Sequence, residues 1–235
     1  MFSVGKIIGS YLLLNSPSIG YVWVMRVFLL MALVIPIVYN LLSKANFYVS
    51  LLSIFGIIAI QILLIECISS LDNKVVRFIL DEFLLYTIGY LPLAILGLKI
   101  REFSSKEQWI FLILTAIVII SYLSYNEWVF NPNKFKYPPS SLYLLYGLFA
   151  SALLWTIKNP LSSLIRCDIF NYLSKNSMWI YLWHIVPVYL IFPIDWIDNT
   201  WFLRYLIVVF TAIGLYWIYS KVITVFPENI RKILQ

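Results

Sequence analysis

An all-α, polytopic bundle of about seven membrane-spanning helices is the fold class this sequence predicts, on three observations. Of the 235 residues, 62% are hydrophobic and 12% charged, whereas a soluble domain is about 45–50% apolar and about 25% charged. The apolar residues gather in runs close to the length that crosses a bilayer, about 20 residues. Trp23, Trp109, Trp128, Trp179, Trp196 and Trp201 crowd the ends of those runs, where a ring that is apolar at one end and wet at the other sits best. A helix satisfies its own backbone hydrogen bonds in lipid, so runs of this kind are expected as helices.

The spans follow in order, two of the seven short. The first runs from about Tyr21 to Leu42, with Arg26 one turn in and Pro36 as a kink. The second covers Phe47 to Leu71 and carries Gln61 and Glu66; the third covers Val76 to Leu98 with Asp81, Glu82 and Pro92. The fourth is Trp109 to Tyr125, the fifth the short run Leu142 to Ile157. The sixth, Met178 to Ile194, is short and broken by Pro187, and the seventh is Trp201 to Phe226. Between the fourth and fifth lies the longest non-apolar connection on the outer side, residues 126–140, whose prolines and asparagines favour turns. Pro138 and Pro139 stiffen the start of the fifth span.

Charge sets the topology. The formal net charge is +6, but the basic residues sit at the ends of apolar runs and form no cluster interleaved with exposed aromatics. Nucleic acid is therefore excluded as a partner, and anionic headgroups are expected. One side collects Lys44, Lys99, Arg101, Lys106, Lys158, Arg166, Lys175, Lys221, Arg231 and Lys232; the other has Lys6, Lys74, Arg77, Lys134 and Lys136. The basic side is cytoplasmic by the positive-inside rule, so the C-terminal tail, 227–235, is expected in the cytoplasm. An odd number of spans then puts the N-terminus outside. Residues 1–20 contain a short apolar core without a small-residue cleavage pattern.

Candidate chemistry is sparse. His184 is the only histidine, in SKNSMWIYLWHIVPVYLI (174–191). Ser174, Ser177, Tyr181 and His184 share one helix face by their spacing, and Trp179 and Trp183 share another. An ionisable group within a membrane usually faces the bundle or a water-filled cavity, so the polar stripe is expected to face the interior. A neutral imidazole there can take a proton from a hydroxyl; the other reading is a structural histidine bonded to a neighbouring helix. Asp81 and Glu82 are adjacent, point about 100° apart and cannot face one partner. Arg26 is a counter-ion candidate for an acidic residue of this region, or a ligand for a thioester's phosphates; the other reading is structural pairing or snorkelling. Arg204 is expected to pair with Asp195 or Asp198. Cys67 and Cys167 have no metal or redox spacing and read as small apolar fillers. No metal site is expected: there is no HExxH, and likewise no GxSxG and no Gly-rich phosphate loop.

Three ordered stretches, YVWVMRVFLLMALVIP (21–36), FKYPPSSLYLLYGL (135–148) and YLSKNSMWIYLWHIVPVYL (172–190), resemble acyltransferase family 3, an integral-membrane family. They are similar to its tryptophan-containing middle helix, its Tyr-Pro-Pro segment and its Ser-x-x-Ile-Tyr-Leu-x-His-x-Pro helix. The resemblance covers residues 20–226. It implies O-acyl transfer from acetyl or other acyl coenzyme A, as donor substrate, to a sugar hydroxyl of a surface polysaccharide, lipopolysaccharide or glycolipid, in a fold of roughly ten spanning helices. It makes 21–226 an acyltransferase-like membrane domain, in a bacterial inner membrane. It places His184 at the family's late histidine, a wall of the acyl-transfer cavity; from the reading of the residues His184 is the candidate catalytic group, and Tyr181, Ser177, Glu82 and Arg26 are the candidate substrate contacts. The family's proposed catalytic histidine lies near its N-terminus, and no histidine or arginine precedes Tyr21. By this resemblance the chain is expected to correspond to the C-terminal two-thirds of such an enzyme, with 1–20 expected as the end of an upstream region and a separate N-terminal fragment as an expected partner. A glycan or lipid transporter and an inactive remnant are the competing readings, since interior Glu66, Glu82 and proline kinks also suit a transport path.

Overall fold

A computed structural model describes residues 4–14, 23–125, 128, 139–162, 166–191 and 200–225. Among these residues every regular element is helical. The chain divides into two compact units, Met1–Asn159 and Pro160–Gln235.

The first unit opens with α1 (Val4–Tyr11) and α2 (Trp23–Leu42), which carries Pro36 inside it. Then come α3 (Phe47–Ser69) and a continuous span built of α4 (Lys74–Ile79), a π-helical turn (Leu80–Leu85) and α5 (Tyr86–Lys99). It closes with α6 (Ser105–Tyr125) and α7 (Ser141–Thr156). Local capping explains several starts. The Asn46 side chain accepts from the Val49 N–H at 3.0 Å, and Asn73 Oδ1 accepts from Val75 and Val76, each satisfying donors that a helix start leaves open. At α6 the Ser104 N–H donates to Glu107 Oε2 at 2.7 Å while the Glu107 N–H donates to Ser104 Oγ at 3.3 Å. That reciprocal capping box starts the helix at Ser105, four residues before the apolar run at Trp109.

The core of this unit lies between α3, α5 and α7, around Ile54, Ile58, Ile95, Leu96, Leu145 and Leu148. One end is tied by the Phe47 and Phe103 rings, edge to face at 5.0 Å, and by Lys99, whose Nζ reaches the Ser43 carbonyl at 3.5 Å and pairs with Glu102. The other end is tied by Gln61, which is fully buried and donates from Nε2 to the Pro139 carbonyl. A Cβ on Gly89 would stand 2.7 Å from Gln61 Nε2 and 2.8 Å from Pro139 Cγ, so only glycine admits this approach of α3, α5 and the α7 start.

The second unit contains α8 (Asp168–Trp183), α9 (Ile185–Ile191) and α10 (Trp201–Val225). α8 begins ten residues ahead of the expected span at Met178, because DIFNYLSKNS is helical without being apolar. Its break falls at His184. Pro187 has no N–H to offer the Trp183 carbonyl and its ring crowds it, and regular bonding resumes with the Val188 N–H on the His184 carbonyl at 3.2 Å.

Five described helical stretches are long and apolar enough to span: Trp23–Leu42, Phe47–Ser69, Lys74–Lys99, Ser105–Tyr125 and Phe202–Ile223. Ser141–Thr156 is apolar but short, as expected. Large side chains remain exposed along these spans, among them Leu29 and Leu33 on α2, Leu52 and Leu63 on α3, Ile113 and Ile117 on α6. In water so much apolar surface drives association; lipid covers it without penalty. The chain is a multi-pass membrane protein.

Candidate functional site

The first unit carries a buried ion pair. α2 places Arg26 one turn from its described start, with 4% of its side chain exposed, and the π turn places Glu82 at 9%. Arg26 Nη1 pairs with Glu82 Oε2. Desolvating either ion alone costs several kcal/mol, which explains why neither is buried without the other. Aromatic faces complete the enclosure: Arg26 Cζ stands 5.3 Å from the Phe83 ring centroid and 5.2 Å from that of Tyr86, within cation–π range. Trp23 packs on Tyr86 at 5.4 Å and on Tyr90 at 6.5 Å. Nε and Nη2 of Arg26 have no hydrogen-bond acceptor among the described residues. Two buried nitrogens of one guanidinium without acceptors are uncommon; a substrate oxygen or an ordered water would satisfy them.

The two adjacent carboxylates point apart. Asp81 turns to its own helix, 3.8 Å from Arg77 Nε, with both side chains partly exposed, while Glu82 turns inward. Single π turns inside α-helices recur at functional sites. Glu66, expected in the interior, is instead exposed. The buried face of α3 repeats through Ser50, Ile54, Ile58, Gln61 and Ile68, and Glu66 lies about 200° from Ile68 at 100° per residue. Cys67 and Cys167 are exposed as well, so neither fills the core.

In the second unit the seam between α8 and α10 is aromatic. Tyr172 meets Tyr216 at 6.3 Å, and Trp179 and Trp183 meet Tyr219 at 6.5 and 5.3 Å. Tyr216 Oη donates to Asn176 Oδ1 at 2.7 Å. The face that packs against α10 is thus Tyr172, Asn176, Trp179 and Trp183. Ser174 and Ser177, expected to look inward, are exposed, and Ser177 Oγ donates to the Ser174 carbonyl at 3.1 Å. The aromatic face buries more apolar area than the serine face could, and so takes the seam.

Tyr181 and His184 are half-buried, their rings 4.7 Å apart. His184 Nδ1 bonds the Tyr181 carbonyl. A carbonyl only accepts, so in the neutral ring Nδ1 carries the hydrogen and Nε2 the lone pair. Asp195 and Asp198, the expected partners of Arg204, lie outside the described residues, as do nearly all of residues 126–138, part of 1–20 and the tail 227–235. Among the described residues no three His, Cys, Asp or Glu side chains converge.

Gln61, Tyr86 and Gly89 were not signalled as site residues by the sequence. A buried-capable amide and a glycine within apolar spans were the available clue, since small and polar residues mark helix contacts in membranes.

A family model described as acyltransferase domain matches residues 2–221. The chain belongs to acyltransferase family 3. The three ordered stretches at 21–36, 135–148 and 172–190 lie inside this match, and the expected family membership stands. Comparisons with curated proteins and with solved structures gave no match. The buried Arg26–Glu82 pair and the His184 turn therefore both belong to a membrane acyltransferase domain.

Proposed function

We propose that the chain is an O-acyltransferase of a bacterial inner membrane, with its C-terminus in the cytoplasm. It moves an acetyl or other short acyl group from a coenzyme A thioester to a hydroxyl of a surface polysaccharide, lipopolysaccharide or glycolipid. The observation that carries this reading is the family match over residues 2–221.

In the reaction the acceptor hydroxyl oxygen attacks the thioester carbonyl carbon. The hydroxyl proton passes to His184 Nε2, the carbon–sulfur bond breaks, and the thiolate leaves and regains that proton. The hydrogen bond from Nδ1 to the Tyr181 carbonyl supports this role by keeping the lone pair on Nε2. Tyr181 and Ser177 supply polar contacts to substrate beside it. In the first unit, Arg26 and Glu82 bind a polar part of a substrate; the two guanidinium nitrogens without acceptors among the described residues support that assignment.

The test follows labelled acetyl from acetyl coenzyme A into the glycan fraction of membranes that contain the chain. Labelled ester on glycan is the expected result. Glycan that crosses the membrane without label would replace the reading with transport. His184→Ala is expected to lower transfer by about 100-fold or more, the usual worth of a positioned base, with the chain still present in the membrane. Unchanged transfer removes His184 from the reaction.

A further inference from the structure

We propose that a groove between α5 and α7 holds one acyl chain and the phosphate headgroup of an anionic phospholipid. The groove encloses about 480 Å³ and is lined by Leu93, Leu96, Gly97, Ile100 and Arg101 on one side and Ser151 and Trp155 on the other. The α5 positions recur at three, four and seven residues, so they form one face of the helix. Gly97 opens the slot: a Cβ there would meet nothing within 4 Å. Elsewhere the helices close up, for a Cβ on Gly147 would touch Leu93 Cδ2 at 3.4 Å. The slot is thus a local notch in a packed pair of spans, wide enough for a hydrocarbon chain.

Two cations stand at the end of the notch where α5 and α7 finish. Arg101 lines it, and Lys158 holds its Nζ 3.8 Å from the centroid of the Trp155 ring, a wall of the groove. Neither has an acidic partner among the described residues, because the adjacent Glu102 pairs with Lys99. An apolar slot in a spanning pair, ending in two cations with no acidic partner among the described residues, complements a lipid with one apolar chain and a negative head. A zwitterionic head would bring a third positive charge to the same place. Basic pockets between spanning helices are used in this way for anionic lipids, and the charge asymmetry of the loops assigns this end to the cytoplasmic leaflet. A phosphate near a polybasic surface gains about 1 kcal/mol per cation, or roughly fivefold in affinity.

The experiment is native mass spectrometry of the purified full chain in detergent, titrated with phosphatidylglycerol, phosphatidylcholine or acetyl coenzyme A. Tighter binding of phosphatidylglycerol than of phosphatidylcholine is expected. Arg101→Gln with Lys158→Gln should weaken phosphatidylglycerol roughly 25-fold and leave phosphatidylcholine unchanged, while Arg101→Lys retains most of the preference. Gly97→Leu places a side chain in the slot and should remove the tight site for either lipid. Circular dichroism and gel filtration identify any variant that has lost its fold, and the charge variants report independently of Gly97→Leu. Equal affinity for the two lipids overturns the proposal, as does a Gly97→Leu chain that binds like the parent. Displacement of phosphatidylglycerol by acetyl coenzyme A overturns it too, and assigns the groove to the donor.

Discussion

Arg26 and Glu82 in the first unit sit almost wholly buried against aromatic rings, whereas in the second unit Ser174 and Ser177 stay exposed and His184 is half-buried beside its own turn. Both regions are polar insertions in apolar spans. They differ in what holds them. The ion pair depends on two separate helices and would leave an uncompensated charge if either partner were lost. The histidine has among its contacts a carbonyl three residues back, which its own helix provides. A polar group secured across helices is part of the fold, and one secured within a turn can be changed with little effect on it.

The largest effect expected from this contrast is at the ion pair. Arg26→Met or Glu82→Leu alone should destabilise the chain by about 3–5 kcal/mol, because a buried charge is left unpaired, and the double variant should recover much of that loss. Thermal unfolding in detergent measures it, and additive single and double losses would show that the two ions do not depend on each other. Next comes His184→Ala, with its roughly 100-fold loss of transfer but a melting temperature close to the parent's. If stability falls along with transfer, the distinction between the two regions fails. Gly89→Ala should cost about 1–3 kcal/mol by overpacking, since its Cβ would meet Gln61 and Pro139; an unchanged unfolding temperature would mean that the α3–α5 approach is looser than described. The smallest effect belongs to Tyr216→Phe. It removes the hydrogen bond to Asn176 and keeps the ring stack, for a loss of about 0.5–1.5 kcal/mol; a larger loss would make this bond, rather than the aromatic seam, the main tie of α8 to α10.

Much of the fold was legible in the sequence, and the reasons are local. Span positions follow from runs of hydropathy, and five of the expected seven meet both length and composition in the structure. The errors are also local. α6 begins early because Ser104 and Glu107 cap it, and α8 begins early because a polar segment continues as helix. Hydropathy registers neither a cap nor a polar helical turn. The candidate residues fared differently. Arg26 and Glu82 were recognisable as ionisable groups inside spans, and pairing was one of the outcomes open to Arg26. The exposed position of Glu66, the inward face of α8 and the close approach at Gly89 were not readable, since each depends on which side of a helix meets a neighbour.

By itself the sequence determined that this chain lives in a membrane as helices, and that it belongs among the acyltransferases. Every spanning segment must satisfy its own backbone in lipid, so composition along the chain suffices to find the spans. The tertiary structure decided which polar groups are paired, which are exposed and where a groove remains. Those outcomes join residues far apart in the chain, as with Gln61 and the Pro139 carbonyl 78 positions away. An apolar helix surface can turn to lipid or to a neighbouring helix at nearly equal free energy, so only the packing of specific side chains selects the face that is buried.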